Sequence, residues 1–124
     1  MELNISGIYT YVPKWRGNDK LPEQDRITVE YRYMTPEEEE RFTAYTPVYR
    51  GENHSEMEIK IDSKALAIWN TCVLKVDGIK DAVTKGNVND PKKVSTIPGT
   101  YKLITEVVAV IKKGLDEEEL KNSA

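Results

Sequence analysis

Between Ile27 and Tyr33 the chain alternates strictly. Ile27, Val29, Tyr31 and Tyr33 fall on one side, and Thr28, Glu30 and Arg32 on the other. A period of two with β-branched and aromatic residues on one face predicts a half-buried strand. Upstream, the stretch Leu3 to Val12 carries Ile5, Ile8, Tyr9, Thr10, Tyr11 and Val12, with Gly7 placed for a bulge and Pro13 as a stop. It reads as a strand able to pair antiparallel with the first. Glu56 to Asp62 alternates again, with Met57, Ile59 and Ile61 expected to point inward, which predicts a third strand.

Other segments change to helical spacing. Thr35 can cap a helix that has Pro36 in its first position and Glu38 where a capping box needs its carboxylate. The acidic run Glu37–Glu40 suits the positive end of the helix dipole. A short surface helix to about Ala44 follows, with a thin apolar face of Phe42 and Tyr45, ending before Pro47. Thr46 to Ser55 then reads as a loop. Asp62 or Ser63 can cap a second helix whose stripe is Leu66, Trp69, Cys72, Val73 and Val76. It must end before Asp77-Gly78, and Val76–Ile79 is either its last turn or a short extended segment. Thr84 to Thr96 reads as a mobile loop.

A last helix begins near Ile97-Pro98-Gly99 and places Tyr101, Ile104, Val107, Val108, Ile111 and Leu115 on one broad face. Lys112 and Lys113 suit its negative end, and Gly114 suits its terminus. Strands come first and helices later, without repeated strand–helix alternation. The expected fold is therefore α+β: a small antiparallel sheet from N-terminal strands, packed with two amphipathic helices from the C-terminal half. One domain is expected over residues 1–115, with 116–124 as an acidic C-terminal tail.

Length and charge narrow the function classes. A chain of 124 residues suits one domain with a core of its own. Lys and Arg number 18 against 21 Asp and Glu, a net charge of −3. Nucleic-acid binders draw their affinity from basic surfaces. Lys14-Trp15-Arg16 and Tyr31-Arg32-Tyr33 do mix aromatics with cations, but Glu30 adjoins the second, and nucleic acid is disfavoured as a partner. The single cysteine, Cys72, precludes an intrachain disulfide and favours a reducing compartment. The opening Met1-Glu2-Leu3-Asn4-Ile5 has no basic region leading into an apolar run, so no signal peptide is expected. The longest apolar runs, Ala65–Trp69 and Val107–Ile111, fall far short of the roughly 20 residues that cross a bilayer.

Candidate chemistry is sparse. His54 lies between Glu52 and Glu56, but it is the only histidine and no zinc-ligand spacing surrounds it, so a solvated loop histidine is the reading. Cys72 falls on an apolar stripe and reads as core. The acidic runs Glu37–Glu40 and Asp116–Glu119 sit at helix starts, where the dipole accounts for them. No glycine pattern makes a phosphate loop. No catalytic residue, cofactor or metal ion is expected, and the chain reads as a non-enzyme. What remains is surface for another protein or a second copy of the chain. Trp, Tyr and Arg dominate binding hot spots. Tyr11, Trp15, Arg16, Tyr101, Val108 and Leu115 are the candidate partner-binding residues. Trp15 either meets a partner or folds back as a lid on the sheet.

Three stretches in order carry a resemblance. The first is Val12-Pro13-Lys14-Trp15-Arg16-Gly17-Asn18 with Leu21-Pro22-Glu23 and Arg26-Ile27-Thr28-Val29-Glu30-Tyr31. The second is Thr35-Pro36-Glu37-Glu38-Glu39-Glu40. The third joins Trp69–Ile79, Pro98–Ile111 and the closing Leu115-Asp116-Glu117-Glu118-Glu119-Leu120. Together they resemble small tail assembly chaperones and tail accessory proteins of tailed bacteriophages. The resemblance implies a protein that works in the host cytoplasm and binds the tape-measure or tail-tube protein, shielding apolar surface until the tail polymerises. The alternatives are a structural tail or neck component that stays in the virion, and a small host-directed inhibitor.

Overall fold

The alternating stretch around Val29 forms the middle strand of a three-stranded antiparallel sheet in the computed structural model, which describes residues 1–3, 5, 7–52 and 56–114. The chain divides into two compact units, one made of Met1–Met34 with Ala65–Ala124 and the other of Thr35–Lys64. The first unit holds β1 (Tyr9–Tyr11), β2 (Thr28–Tyr31) and β5 (Val73–Asp77) in the order β1-β2-β5. The second holds α1 (Pro36–Phe42), β3 (Thr43–Arg50) and β4 (Glu56–Ser63). Helices α2 (Ala65–Cys72), α3 (Pro91–Val94) and α4 (Tyr101–Lys113) belong to the first. This is the expected α+β arrangement, with a small antiparallel sheet from the N-terminal strands and helices in the C-terminal half.

Register explains the core of the first unit. Val29 pairs with Tyr11 on one side and Val76 on the other, and Tyr31 pairs with Tyr9 and Val73. Partners directly across a ladder share a face, so these two rows build one apolar sheet face. Val29, Tyr31, Val73 and Val76 are all buried. A bulge between Glu30 and Tyr31 skips Leu74, which stays exposed. Ile68, Trp69 and Cys72 of α2 meet Leu103, Ile104, Val107, Val108 and Ile111 of α4, spacings of three and four that keep one helix face inward. Each such buried aliphatic side chain contributes about 1.5–3 kcal/mol. The Trp69 Nε1–H donates to the Pro91 carbonyl oxygen at 2.7 Å, so the largest core residue also fixes the start of α3.

Several sequence expectations need correction here. The strand over Leu3–Val12 shrinks to Tyr9–Tyr11, because β2 offers partners only from Val29 to Tyr31; Gly7 lies outside any strand, and Leu3, Ile5 and Ile8 are exposed. The second helix stops at Cys72. Val73 and Val76 belong to β5 instead, since the open edge of β2 gives a β-branched run a ladder to join. Leu66 is exposed rather than part of the stripe. The mobile loop expected over Thr84–Thr96 is structured. Lys80 and Asn87 form a bridge, and Asp81 Oδ1 accepts from the Val83 and Thr84 amides at 2.8 and 3.2 Å. Those two amides hold the Asp81 carboxyl below its ordinary value, Val83 more than Thr84. Asp90 then caps α3, and Val94 is fully buried.

In the second unit the capping box forms as expected. Thr35 Oγ1 accepts from the Glu38 amide at 3.2 Å, and Glu38 Oε1 accepts from the Thr35 amide at 3.0 Å. The loop expected from Thr46 is a strand as far as Arg50, paired with β4 over eight positions from Thr43–Ser63 to Arg50–Glu56. Pro47, expected only to stop the preceding helix, lies within β3, and a two-stranded ribbon tolerates proline because each strand has an outer edge. Met57, expected inward, is 60% exposed, as is Tyr49 opposite it at 55%. His54 lies outside the described residues.

Candidate functional site

The site grows out of the loop between β1 and β2. Pro13 ends β1 and is buried. A 3-10 segment, Trp15–Lys20, follows, kinked where Arg16 (φ 52°, ψ 32°) and Gly17 (φ 74°) adopt left-handed backbone. Such a conformation is cheap for glycine and costs an arginine about 1–2 kcal/mol. Asn18 offsets that cost. It is 3% exposed, its Nδ2 donates to the carbonyls of Pro13 (2.8 Å) and Ile27 (3.0 Å), and its Oδ1 accepts from the Ile27 amide at 2.6 Å. One side chain thus ties both ends of the loop together.

Helix α4 clamps the same loop from the side. Glu106 Oε2 accepts from the Tyr11 hydroxyl and from the Lys14 amide, each at 2.7 Å. With the backbone so held, the Arg16 guanidinium lies 4.6 Å from the centroid of the Trp15 ring, a cation–π distance. Trp15, Arg16, Gly99, Tyr101 and Lys102 line an open recess of about 620 Å³ at the start of α4. Tyr101 is 62% exposed. Gly99 has φ +87°, and a Cβ there would lie 3.9 Å from Arg16 Nη2, against the guanidinium. Among the described residues neither Arg16 nor Lys102 has a carboxylate partner. The recess therefore presents two aromatic rings and two cations, Arg16 and Lys102.

Of the candidate residues, Trp15, Arg16 and Tyr101 converge on this recess. Tyr11 stands beside it, half-buried, with its hydroxyl committed to Glu106. Val108 is 2% exposed and belongs to the core. Leu115 lies outside the described residues. Lys102, Asn18 and Glu106 were not singled out from the sequence. Lys102 follows Tyr101 directly, which is a usable signal once that tyrosine faces solvent. Asn18 and Glu106 act through contacts distant in sequence and carry no local signal.

The Tyr11 phenol is pushed up to about 12, first by burial, then by its hydrogen bond to Glu106 and the negative charges of Glu106 and Asp19. Its folded value thus exceeds the unfolded value near 10. The neutral phenol's contribution to stability is complete below about pH 10 and is lost as the pH rises toward 12. Following the Tyr11 Cζ chemical shift against pH should give a midpoint well above the ordinary tyrosine value. Glu106→Gln should bring that midpoint down, and an unmoved midpoint would refute the coupling.

Among the described residues no three His, Cys, Asp or Glu side chains stand close enough to hold a metal ion together. No described helix is long and apolar enough to cross a membrane. No family model matches the chain, and neither a curated protein nor a solved structure does. The functional reading therefore rests on the recess and on the order of residues along the chain.

Proposed function

We propose that this protein works by binding another polypeptide at the recess of Trp15, Arg16, Tyr101 and Lys102, without chemistry of its own. The observation that carries this reading is an aromatic pair, Trp15 half-buried and Tyr101 exposed, held on an ordered loop and a helix start, with Arg16 stacked on one of the rings. Tryptophan, tyrosine and arginine are enriched among binding hot spots, and the aromatic rings bury much area at low entropic cost. Here the loop is ordered beforehand by Asn18 and Glu106, so little freedom remains to be lost on binding.

Combined with the resemblance to tail assembly proteins, the client is the tape-measure protein of a tailed bacteriophage, and the site of action is the host cytoplasm before the tail is complete. Apolar helical surface on the client would seat on the aromatic rings, while the net charge of −3 helps keep the complex dispersed. Co-expression with a tape-measure protein provides the test. The wild-type chain should keep the client soluble and co-purify with it. Trp15→Ala with Tyr101→Ala should weaken that association by about a hundredfold or more, the loss of hot-spot contacts. A client equally insoluble with and without the chain, together with no co-purification, would end the reading.

A further inference from the structure

We infer that the recess selects a client segment in which an aspartate or glutamate stands next to an apolar residue, the carboxylate meeting Arg16 and Lys102 and the apolar side chain meeting Tyr101 and the uncovered part of Trp15. This names the chemistry of the partner and rests on the polypeptide-binding reading above. It starts from the lining. Of the residues around the recess, Trp15 and Tyr101 are aromatic, Arg16 and Lys102 are cations, Gly99 completes the wall, and no carboxylate is among them. Arg16, Tyr101 and Lys102 are all exposed.

The two cations differ in what they offer. The Arg16 guanidinium lies over the Trp15 ring at 4.6 Å from its centroid. A guanidinium stacked on an indole keeps its charge, and the N–H groups along its edge form the fork that a carboxylate fits with two parallel hydrogen bonds. Lys102 adds a compact point charge that attracts an anion without fixing its orientation. Thr100, which precedes α4, donates its hydroxyl to the Val94 and Ile97 carbonyls at 3.0 and 2.8 Å, and the first turn of the helix holds no acidic residue. The positive end of α4 therefore adds to the field of the two side chains. An anion entering the recess meets one sign of charge, with apolar ring surface beside it.

The surroundings choose between kinds of anion. The recess is open, whereas sites for small molecules enclose most of the ligand's surface. It suits part of a longer chain. A single-stranded nucleic acid would stack its bases on the rings and lay phosphates along a basic track. Here Arg16 already covers the Trp15 ring, so a base would have to displace the guanidinium. Glu106 and Asp19 also place negative charge on Tyr11, beside the recess, where a phosphate backbone leaving it would be repelled. One or two carboxylates on an otherwise apolar segment match both the charge and the rings.

Titration of the intact chain with capped peptides, followed through the Trp15 indole N–H resonance, tests this. The probes are Gly-Glu-Leu-Glu-Leu-Glu-Gly, its counterpart with every glutamate replaced by glutamine, and a single-stranded oligothymidylate. The glutamate peptide should move the Trp15 resonance saturably, leave the buried Trp69 resonance in place, and weaken as salt is added. The glutamine peptide should bind about tenfold more weakly or worse, the loss of charge-assisted hydrogen bonds. Arg16→Gln and Lys102→Gln should each weaken the glutamate peptide while leaving the glutamine peptide unchanged, a difference that a merely structural effect of either substitution would not produce. Equal binding of the two peptides would overturn the acidic preference while leaving the polypeptide-binding reading intact, since that reading falls only if Trp15→Ala with Tyr101→Ala fails to release the client. Tighter binding of the oligothymidylate than of the glutamate peptide would also overturn the inference. So would a Trp15 resonance that moves on dilution of the chain alone, which would place a second copy in the recess.

Discussion

Replacing Gly78 by alanine is expected to lower the unfolding free energy by about 3 kcal/mol or more. Gly78 follows β5 directly and has φ +94°; a Cβ built there would collide with the Arg26 carbonyl oxygen and lie 2.9 Å from the Ile27 Cα. Both neighbours are backbone at the entry to β2, so no side-chain rotation relieves the overlap. Relief requires β5 to draw away from β2, which opens the Val29–Val76 row at the centre of the sheet. Gly17 provides the control. It too has positive φ, +74°, but nothing lies within 4 Å of a Cβ there. Gly17→Ala should cost only the backbone term, about 1 kcal/mol. Urea denaturation of the two variants separates conformation from collision, and equal losses would show that the approach to Arg26 does not matter.

The second large effect is expected at Asn18. In Asn18→Asp one carboxylate oxygen can still accept from the Ile27 amide, but the other replaces an NH₂ that donated to two carbonyls. An ionised carboxylate then faces the oxygens of Pro13 and Ile27 in a buried position, at a cost of about 3 kcal/mol near neutral pH. Repulsion and burial both raise the folded-state value of the new carboxyl above its unfolded value near 4. For a raised carboxyl the penalty is present once the folded state must ionise, and it fades as the pH falls toward 4, where the protonated group can again donate. The gap in stability between variant and wild type should therefore narrow on acidification. A gap independent of pH would mean that Asn18 acts through shape rather than through its amide hydrogens.

The comparison of sequence with structure separates local signals from distant ones. The alternation at Ile27–Tyr33, the capping box at Thr35–Glu38 and the spacing of the last helix were all legible, because each is written in neighbouring residues and needs no partner to be read. The errors arose where a distant partner decided. Val73 and Val76 fit a helical stripe as well as a strand, and only the open edge of β2 chooses between them. Pro47 argues for a break until the distant partner β4 draws it into a ladder, opposite Ile59. The recess was half legible: Trp15, Arg16 and Tyr101 could be named as unusual surface residues, whereas Lys102 is ordinary until the loop folds against it. Val108 could not be told from its exposed helical neighbours, because the broad apolar face of the last helix gives no sign of how far the core extends around it.

The two tryptophans occupy opposite environments. Trp69 is sealed in the core with its indole N–H bonded to Pro91, and Trp15 lies at the mouth of the recess under a guanidinium. Indole emission from this one chain thus divides into two independent signals, one governed by the integrity of the interior and the other by what occupies the surface. Replacing Trp15 leaves Trp69 as an optical probe of folding, with no dye attached.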